Sequence, residues 1–284
     1  MSAASRDGRH ARSDFAFRET AMLWRRLGLT RRRIFVLLTC VVLTAAVVVY
    51  LAVWIPGLPG PLHGAYVSRG LLHNVYEGLR YYDEANGHLP QAAAKDPESG
   101  NLSSWRIEVC RSFVRLGFSI ALPPNITSPL DYDYHRAWND PCNARIGAFG
   151  SAYFVPATPH LLRGASGIYA TYYKAVTGPG TAFDCAAHAS LKQLPEDVIL
   201  IVQVARSDTH WMEPSDLCID ELIPCEETKR LLLTHDGYVV LFADGERWVL
   251  SRKTPISDLC KFLTVAGAKE FSRDELLAPY RVLP

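Results

Sequence analysis

The residues best suited to chemistry fall in two short stretches. DTHWMEPSDL carries His210, Glu213 and Asp216, and LTHDGYVVLFADG carries His235, Asp236 and Asp244. Two imidazoles with nearby carboxylates are the donor set of a zinc or other transition-metal site. The spacing argues against a ready-made one: HWME is not HExxH, and the two histidines stand 25 residues apart. The competing reading is that each histidine hydrogen-bonds within a loop and orders it. Asp131 and Asp133 in LDYDYH offer oxygen ligands for calcium, but without EF-hand spacing. No GxSxG is present; Ser207 and Ser215 near His210 read as turn residues, and Cys218 reads as a disulfide or buried thiol rather than a nucleophile. Thr177-Gly-Pro-Gly180 lacks the GK[ST] end of a phosphate loop, and Pro179 removes a donor, so a turn is expected. Asn101-Leu-Ser and Asn125-Ile-Thr match the glycosylation triplet, a pattern frequent by chance. The expected cofactor set is empty, and a non-enzymatic role follows.

The elements around these stretches predict an α+β domain. Leu72, Val75, Tyr76, Leu79 and Tyr82 recur at helical spacing, so a helix is expected from Tyr66 to Asn86, stopped by Gly87 and Pro90. Residues 91–102 read as a polar loop. Ser104 caps a second predicted helix with Trp105, Val109, Phe113 and Leu116 on one face, ended by Gly117. The Pro-, Asn- and Gly-rich stretch 122–167 reads as long surface loops. Strands are expected at 168–176, at 198–205 as a central strand, and at 238–242 and 247–250 as a hairpin. Asp244-Gly245 would supply the hairpin's two positive-φ positions. Two short helices, 257–263 and 273–277, close the chain, the second with a Ser272/Glu275 capping box.

Ahead of this domain, residues 34–55 (IFVLLTCVVLTAAVVVYLAVWI) form 22 residues without a charge. At about 1.5 Å per helical residue they match a bilayer core of about 30 Å. Arg31, Arg32 and Arg33 precede the run, and Tyr50 and Trp54 lie at its far end. The positive-inside rule then places the N-terminus in the cytoplasm and the C-terminal domain outside. A signal peptide's apolar region runs about 7–15 residues, so an uncleaved signal anchor is expected. The organisation that follows is a basic cytoplasmic leader over 1–33, an anchor over 34–55, a Pro/Gly linker over 56–65 and one domain over 66–284. The expected location is single-pass in the inner (cytoplasmic) membrane, with the lipid bilayer as partner through 34–55 and envelope proteins as further partners.

Charge agrees with this division. The 284-residue chain has a net charge of +1, yet nine of its 30 Lys and Arg fall in residues 1–33 with only three of its 29 acids. The leader is a topology signal, or an arm for anionic headgroups. The rest is slightly acidic, which excludes nucleic-acid binding by bulk charge. Of seven cysteines, Cys40 lies in the apolar run and six follow it without a CxxC. An even number in an exported domain permits disulfides, while buried free thiols fit equally well.

Six segments in order carry a resemblance: LLHNVYEGLRYYDEANGHLP (71–90), SSWRIEVCRSF (103–113), Trp138-Asn-Asp-Pro141, YYKAVTGPGTAF (172–183), VILIVQVARSDTHWMEPSDL (198–217) and HDGYVVLFADGERWVL (235–250). Together they resemble a planctomycete-type family of exported prepilin-like proteins of unknown function, marked by a C-terminal His–x9–Asp-Gly signature. The chain departs from the family where members carry the prepilin signal: Gly28-Leu29-Thr30-Arg31 stands there, without the acidic residue that follows the cut. Pro56, Pro59 and Pro61 interrupt what would be one long pilin helix. The family's Cys-Pro-Ser segment is Val155-Pro156-Ala157, its strand Glu is Gln203, and His235 to Asp244 is one residue short of the signature. The resemblance implies a pilin-like (pseudopilin-like) domain, a helix packed on a mainly antiparallel sheet with long loops. It marks Trp138, Asp140, Gly178, Gly180, His210, Trp211, Glu213, Asp216, His235, Asp244 and Gly245 as motif residues. It implies a role in surface assembly or secretion, with a metal- or ligand-binding domain using His210, Glu213 and His235 as the alternative.

Overall fold

The computed structural model describes residues 63–117, 128–147, 153–154, 170–222 and 224–282, with six positions between 36 and 47. The chain divides into two compact units, Met1–His63 and Gly64–Pro284. In the first, Val36, Thr39, Cys40, Leu43, Thr44 and Val47 are helical and exposed. The Thr44 hydroxyl donates to the Cys40 carbonyl at 2.8 Å, an i−4 bond that satisfies a hydroxyl inside an apolar helix. No helix of the described residues is long and apolar enough to cross a membrane. The leader, most of the 34–55 run and residues 56–62 lie outside the described residues, as do Asn125 and Val155-Pro156-Ala157.

The second unit is α+β. Its sheet runs β5-β3-β4-β6-β7, built from β3 (Tyr173–Thr177), β4 (Ile199–Gln203), β5 (Leu217–Cys218), β6 (Tyr238–Phe242) and β7 (Arg247–Leu250). All neighbours are antiparallel except β5, which lies parallel to β3. The apolar run Ile199-Leu-Ile-Val202 fills the central position, and every residue of β4 is buried. Branched and apolar side chains on both faces suit a strand covered on both sides. The hairpin β6–β7 forms where expected, with a different turn. Ala243 to Glu246 make a four-residue loop, and only Gly245 takes positive φ, at +87°. Asp244 instead closes the turn by accepting from the Glu246 amide at 2.8 Å.

Helix α1 spans His63–Asn86 and α2 spans Trp105–Arg115. The helix begins three residues ahead of the expected Tyr66: from Pro61 to Asn86 no further proline removes an amide donor, and one glycine weakens a helix by only about 1 kcal/mol. Ser104 caps α2 by accepting from the Arg106 amide. Leu116, expected on the buried face, is 39% exposed. Gly78 lets the two helices approach: a Cβ there would sit 2.7 Å from Val109 and 2.9 Å from Phe113.

Residues 91–102 are not simply loop. Strands β1 (Ala93–Lys95) and β2 (Leu102–Ser104) pair as a small antiparallel hairpin. Its turn is organised by Asp96, whose carboxylate accepts from the Ser99 amide and hydroxyl at 2.7 Å each. In the 122–167 stretch the described part is mostly loop, with the short helix α3 (Pro141–Ala144). At the C-terminus α5 (Ile256–Lys261) and α7 (Arg273–Leu276) match expectation, while α4 (Glu226–Leu232) and α6 (Val265–Glu270) are additional. The Ser272/Glu275 box does not form; the Asp197 carboxylate accepts from the Arg273 amide at 3.1 Å instead. That acid belongs to the β4 approach, so a tertiary contact replaces the local one.

Candidate functional site

The motif residues separate into two clusters and one isolated histidine. The first cluster lies along β3, on the edge away from β4. There the segment 209–218 runs beside the strand, and Asp216 directly precedes β5. Its carboxylate accepts from the Ala175 amide at 2.8 Å, from Arg106 Nη2 at 2.5 Å and from the Trp105 indole at 3.2 Å. Arg106 in turn donates to the Tyr173 carbonyl through Nε at 3.2 Å and Nη2 at 3.0 Å. The Arg106 and Asp216 side chains are 0% and 3% exposed. Burial pulls the guanidinium below its ordinary pKa, and the Asp216 charge opposes that pull. Such a pair holds only when every donor finds an acceptor. Arg106 Nη1 meets that requirement with Ser104 Oγ at 2.9 Å and the Glu213 carbonyl at 3.4 Å.

Lys174 is buried beside this pair. Its Nζ donates to Thr209 Oγ1 and the Ser215 carbonyl, both at 2.7 Å. Burial, then the Arg106 charge, lowers its pKa to about 8. Glu213 contributes its carbonyl to Arg106, and its charge acts on both cations.

The other half of this cluster is aromatic. The Trp138 ring stacks on His210, centroids 5.2 Å apart and planes at 22°. Trp211 is buried, stacks on Phe154 at 5.9 Å and donates its indole N–H to the Gly147 carbonyl at 2.7 Å. His210 Nδ1 accepts from the Met212 amide at 3.2 Å, so a neutral ring carries its proton on Nε2. Burial lowers the pKa of His210 to about 4. The Trp138 loop is held by Asp140, which caps α3 through the Cys142 amide, and by the buried Asn143. That side chain donates to the carbonyls of Asp133, Arg136 and Ala137 and accepts from the Asp133 amide.

The second cluster locks the β6–β7 turn. Asp244 pairs with the Arg273 guanidinium, which also reaches Asp197 at 3.0 Å. Arg273 lies over the Phe242 and Trp248 rings, 4.7 and 5.2 Å from their centroids. Gly245 faces the ring of Tyr76, whose hydroxyl donates to the Ala243 carbonyl at 3.3 Å. At the 177–180 turn a Cβ on Gly178 would sit 2.9 Å from Ile219, and the Gly180 amide donates to Asp184 at 2.9 Å. The turn is therefore packed and capped by the chain itself, as the absence of a phosphate-loop ending implied.

His235 joins neither cluster. Its side chain is 91% exposed and sits 3.0 Å from Asp236, before β6, whereas Asp244 follows that strand. Among the described residues no three His, Cys, Asp or Glu side chains are grouped to hold a metal ion. His210, Glu213 and His235 thus do not converge as the metal reading required. Asp133 is engaged by Arg136 at 3.2 Å and by the His135 amide at 3.0 Å. Ser207 accepts from the Thr209 amide, a turn role. Asn101 Nδ2 donates to the His135 carbonyl at 2.7 Å. All seven cysteines are free thiols.

Arg106, Lys174, Asn143 and Arg273 escaped the sequence reading. A signal existed for two of them: Arg106 stands between the apolar Trp105 and Ile107, and Lys174 is a charge in the otherwise apolar run Tyr172–Val176. No family model, curated protein or solved structure matches the chain.

Proposed function

We propose that the chain is a non-enzymatic, membrane-anchored protein of the cell envelope. In this reading residues 34–55 anchor it in the inner membrane, and the Gly64–Pro284 unit is a pilin-like domain carried outside. The observation that supports it best is the use of the motif's side chains. Asp216 is spent on Arg106, Trp105 and Ala175; Asp244 on Arg273 and the Glu246 amide; Trp211 on Gly147 and Phe154. Groups held this way build a scaffold, and function then rests on the surface that scaffold presents. The 22-residue uncharged run behind three arginines supports the anchoring and the orientation. Resemblance to prepilin-like proteins supports a role in surface assembly or secretion with envelope proteins as partners. Metal binding by His210, Glu213 and His235 lacks the convergence it needs.

The test is intact mass and protease accessibility in native membranes. An uncleaved chain whose domain is digested only from the extracytoplasmic side is the expected result. A domain protected in intact cells and digested in inverted vesicles would overturn the orientation. A chain cut near Gly28 and N-methylated would place it with processed prepilins instead. Stoichiometric zinc or calcium in the purified protein would revive the metal reading.

A further inference from the structure

His88 and His188 come from distant turns and meet edge to face, with ring centroids 5.6 Å apart and planes at 77°. His88 follows the glycine that ends α1, and His188 lies in the loop between β3 and β4. Backbone bonds hold the two turns together. The Leu89 amide donates to the Ala189 carbonyl at 2.9 Å. The buried Asp83 of α1 accepts from the Ser190 hydroxyl at 2.9 Å and the Leu191 amide at 3.3 Å. Asp184 fixes the near side of the loop, accepting from the Ala186 amide at 2.9 Å.

Each ring presents a lone pair. His88 Nδ1 lies 2.8 Å from the Leu89 carbonyl, which only accepts, so in the neutral ring Nδ1 carries the proton and Nε2 the lone pair. A backbone carbonyl on the second nitrogen is the usual support of a metal-ligating histidine. His188 Nε2 is 3.4 Å from the Gln91 amide nitrogen, which only donates, so its lone pair is at Nε2 as well. Beside His188 is a cleft lined by Leu89, Pro90, Gln91, Phe183 and Cys185, and the ring itself is exposed. Among the described residues His188 alone combines a side chain with positive φ, at +42°. A histidine at a position that suits glycine points to a use for its ring.

We propose that His88 and His188 are the protein ligands of a divalent late first-row metal ion such as zinc, bound between the end of α1 and the 184–190 loop. With metal–nitrogen bonds of about 2 Å, two imidazoles on one tetrahedral ion bring their ring centres to roughly 5 Å, close to the 5.6 Å found here. Imidazole suits zinc, copper and nickel, whereas calcium and magnesium take oxygen ligands. Among the described residues no third His, Cys, Asp or Glu is grouped with the pair, so water fills the other positions. The carboxylates of Asp83 and Asp184 are already engaged by the contacts above. An ion held by both rings cross-links the loop to α1, and its binding adds to the stability of the fold. The inference rests neither on the anchoring reading nor on the His210, Glu213 and His235 set.

The experiment titrates zinc chloride into full-length protein in detergent by calorimetry and follows the melting temperature with and without the metal. The expected result is one ion per chain and a zinc-dependent rise in melting temperature, reversed by a chelator. His88→Ala and His188→Gly should each weaken binding by about tenfold or more and remove the rise. The glycine variant keeps the proposal falsifiable, because positive φ suits glycine: its metal-free melting temperature should equal or exceed that of the unmodified chain. Cys185→Ser, His210→Ala and His235→Ala should leave binding in place. No binding at millimolar zinc, or binding unchanged in His188→Gly, overturns the proposal. So does binding lost in Cys185→Ser, which would make the site a thiolate one, or in His210→Ala or His235→Ala, which would place the ion elsewhere.

Discussion

Arg106 and Asp216 together stand in for a strand along the open edge of β3. The arginine donates to the Tyr173 carbonyl, and the aspartate accepts from the Ala175 amide, two residues further on. Where backbone pairing with β5 begins, at Val176, the ion pair is no longer needed. Removing one partner leaves a buried charge and an unfilled backbone group, at about 3–5 kcal/mol. Asp216→Ala and Arg106→Ala are each expected to lose that much in denaturant unfolding followed by tryptophan fluorescence. The double variant Arg106→Met/Asp216→Leu is expected to lose less than the two single losses combined, because no charge is then stranded. A sum equal to the two single losses would show that the pair is not coupled.

Lys174 makes alkaline pH stabilising. Its pKa falls from 10.5 unfolded to about 8 folded, so between those values the unfolded chain binds more protons and stability rises with pH. Below pH 8 the ammonium is charged in both states, and its burial carries a full penalty of roughly 3 kcal/mol. Denaturation midpoints from pH 7.5 to 10.5, compared between the unmodified chain and Lys174→Met, check this. The difference between them should narrow steadily across the window; a constant difference would sink the assignment.

His210 works at the acid end. With its pKa lowered to about 4 from 6.5, the folded chain resists the proton that the unfolded chain accepts. Stability is therefore full above pH 6.5 and declines as pH falls toward 4. Protonation also removes the acceptor used by the Met212 amide. His210→Gln is expected to flatten the pH 4–6.5 slope of the melting temperature while leaving it nearly unchanged at pH 7.5.

Local signals were legible and distant ones were not. Ser104, the Val198–Ala205 run and Asp244-Gly245 each act within a few residues, and the cap, the central strand and the hairpin all form. The Arg106–Asp216 pair joins positions 110 apart, and no spacing rule spans that distance. Ser272 shows the limit of local rules, since Asp197 supplies the acceptor from 76 residues away. Within the motif stretch 210–216, residue types named the interacting groups. Their use in holding β3 depended on Lys174 and Arg106, charges that periodicity assigns only as breaks in an apolar pattern.

Gly245 ties the hairpin to α1, and it does so twice over. Its φ of +87° is disfavoured for any side chain, and a Cβ would lie 2.6–2.9 Å from three atoms of the Tyr76 ring. Gly245→Ala should therefore cost about 1–3 kcal/mol in unfolding free energy. The two causes can be separated. Tyr76→Ala removes the steric part along with the bond to the Ala243 carbonyl. In the Tyr76→Ala background the alanine at 245 should cost less, down to the backbone strain alone, about 1 kcal/mol. Equal losses in both backgrounds would mean that the ring moves aside freely, and that the turn's conformation alone requires glycine.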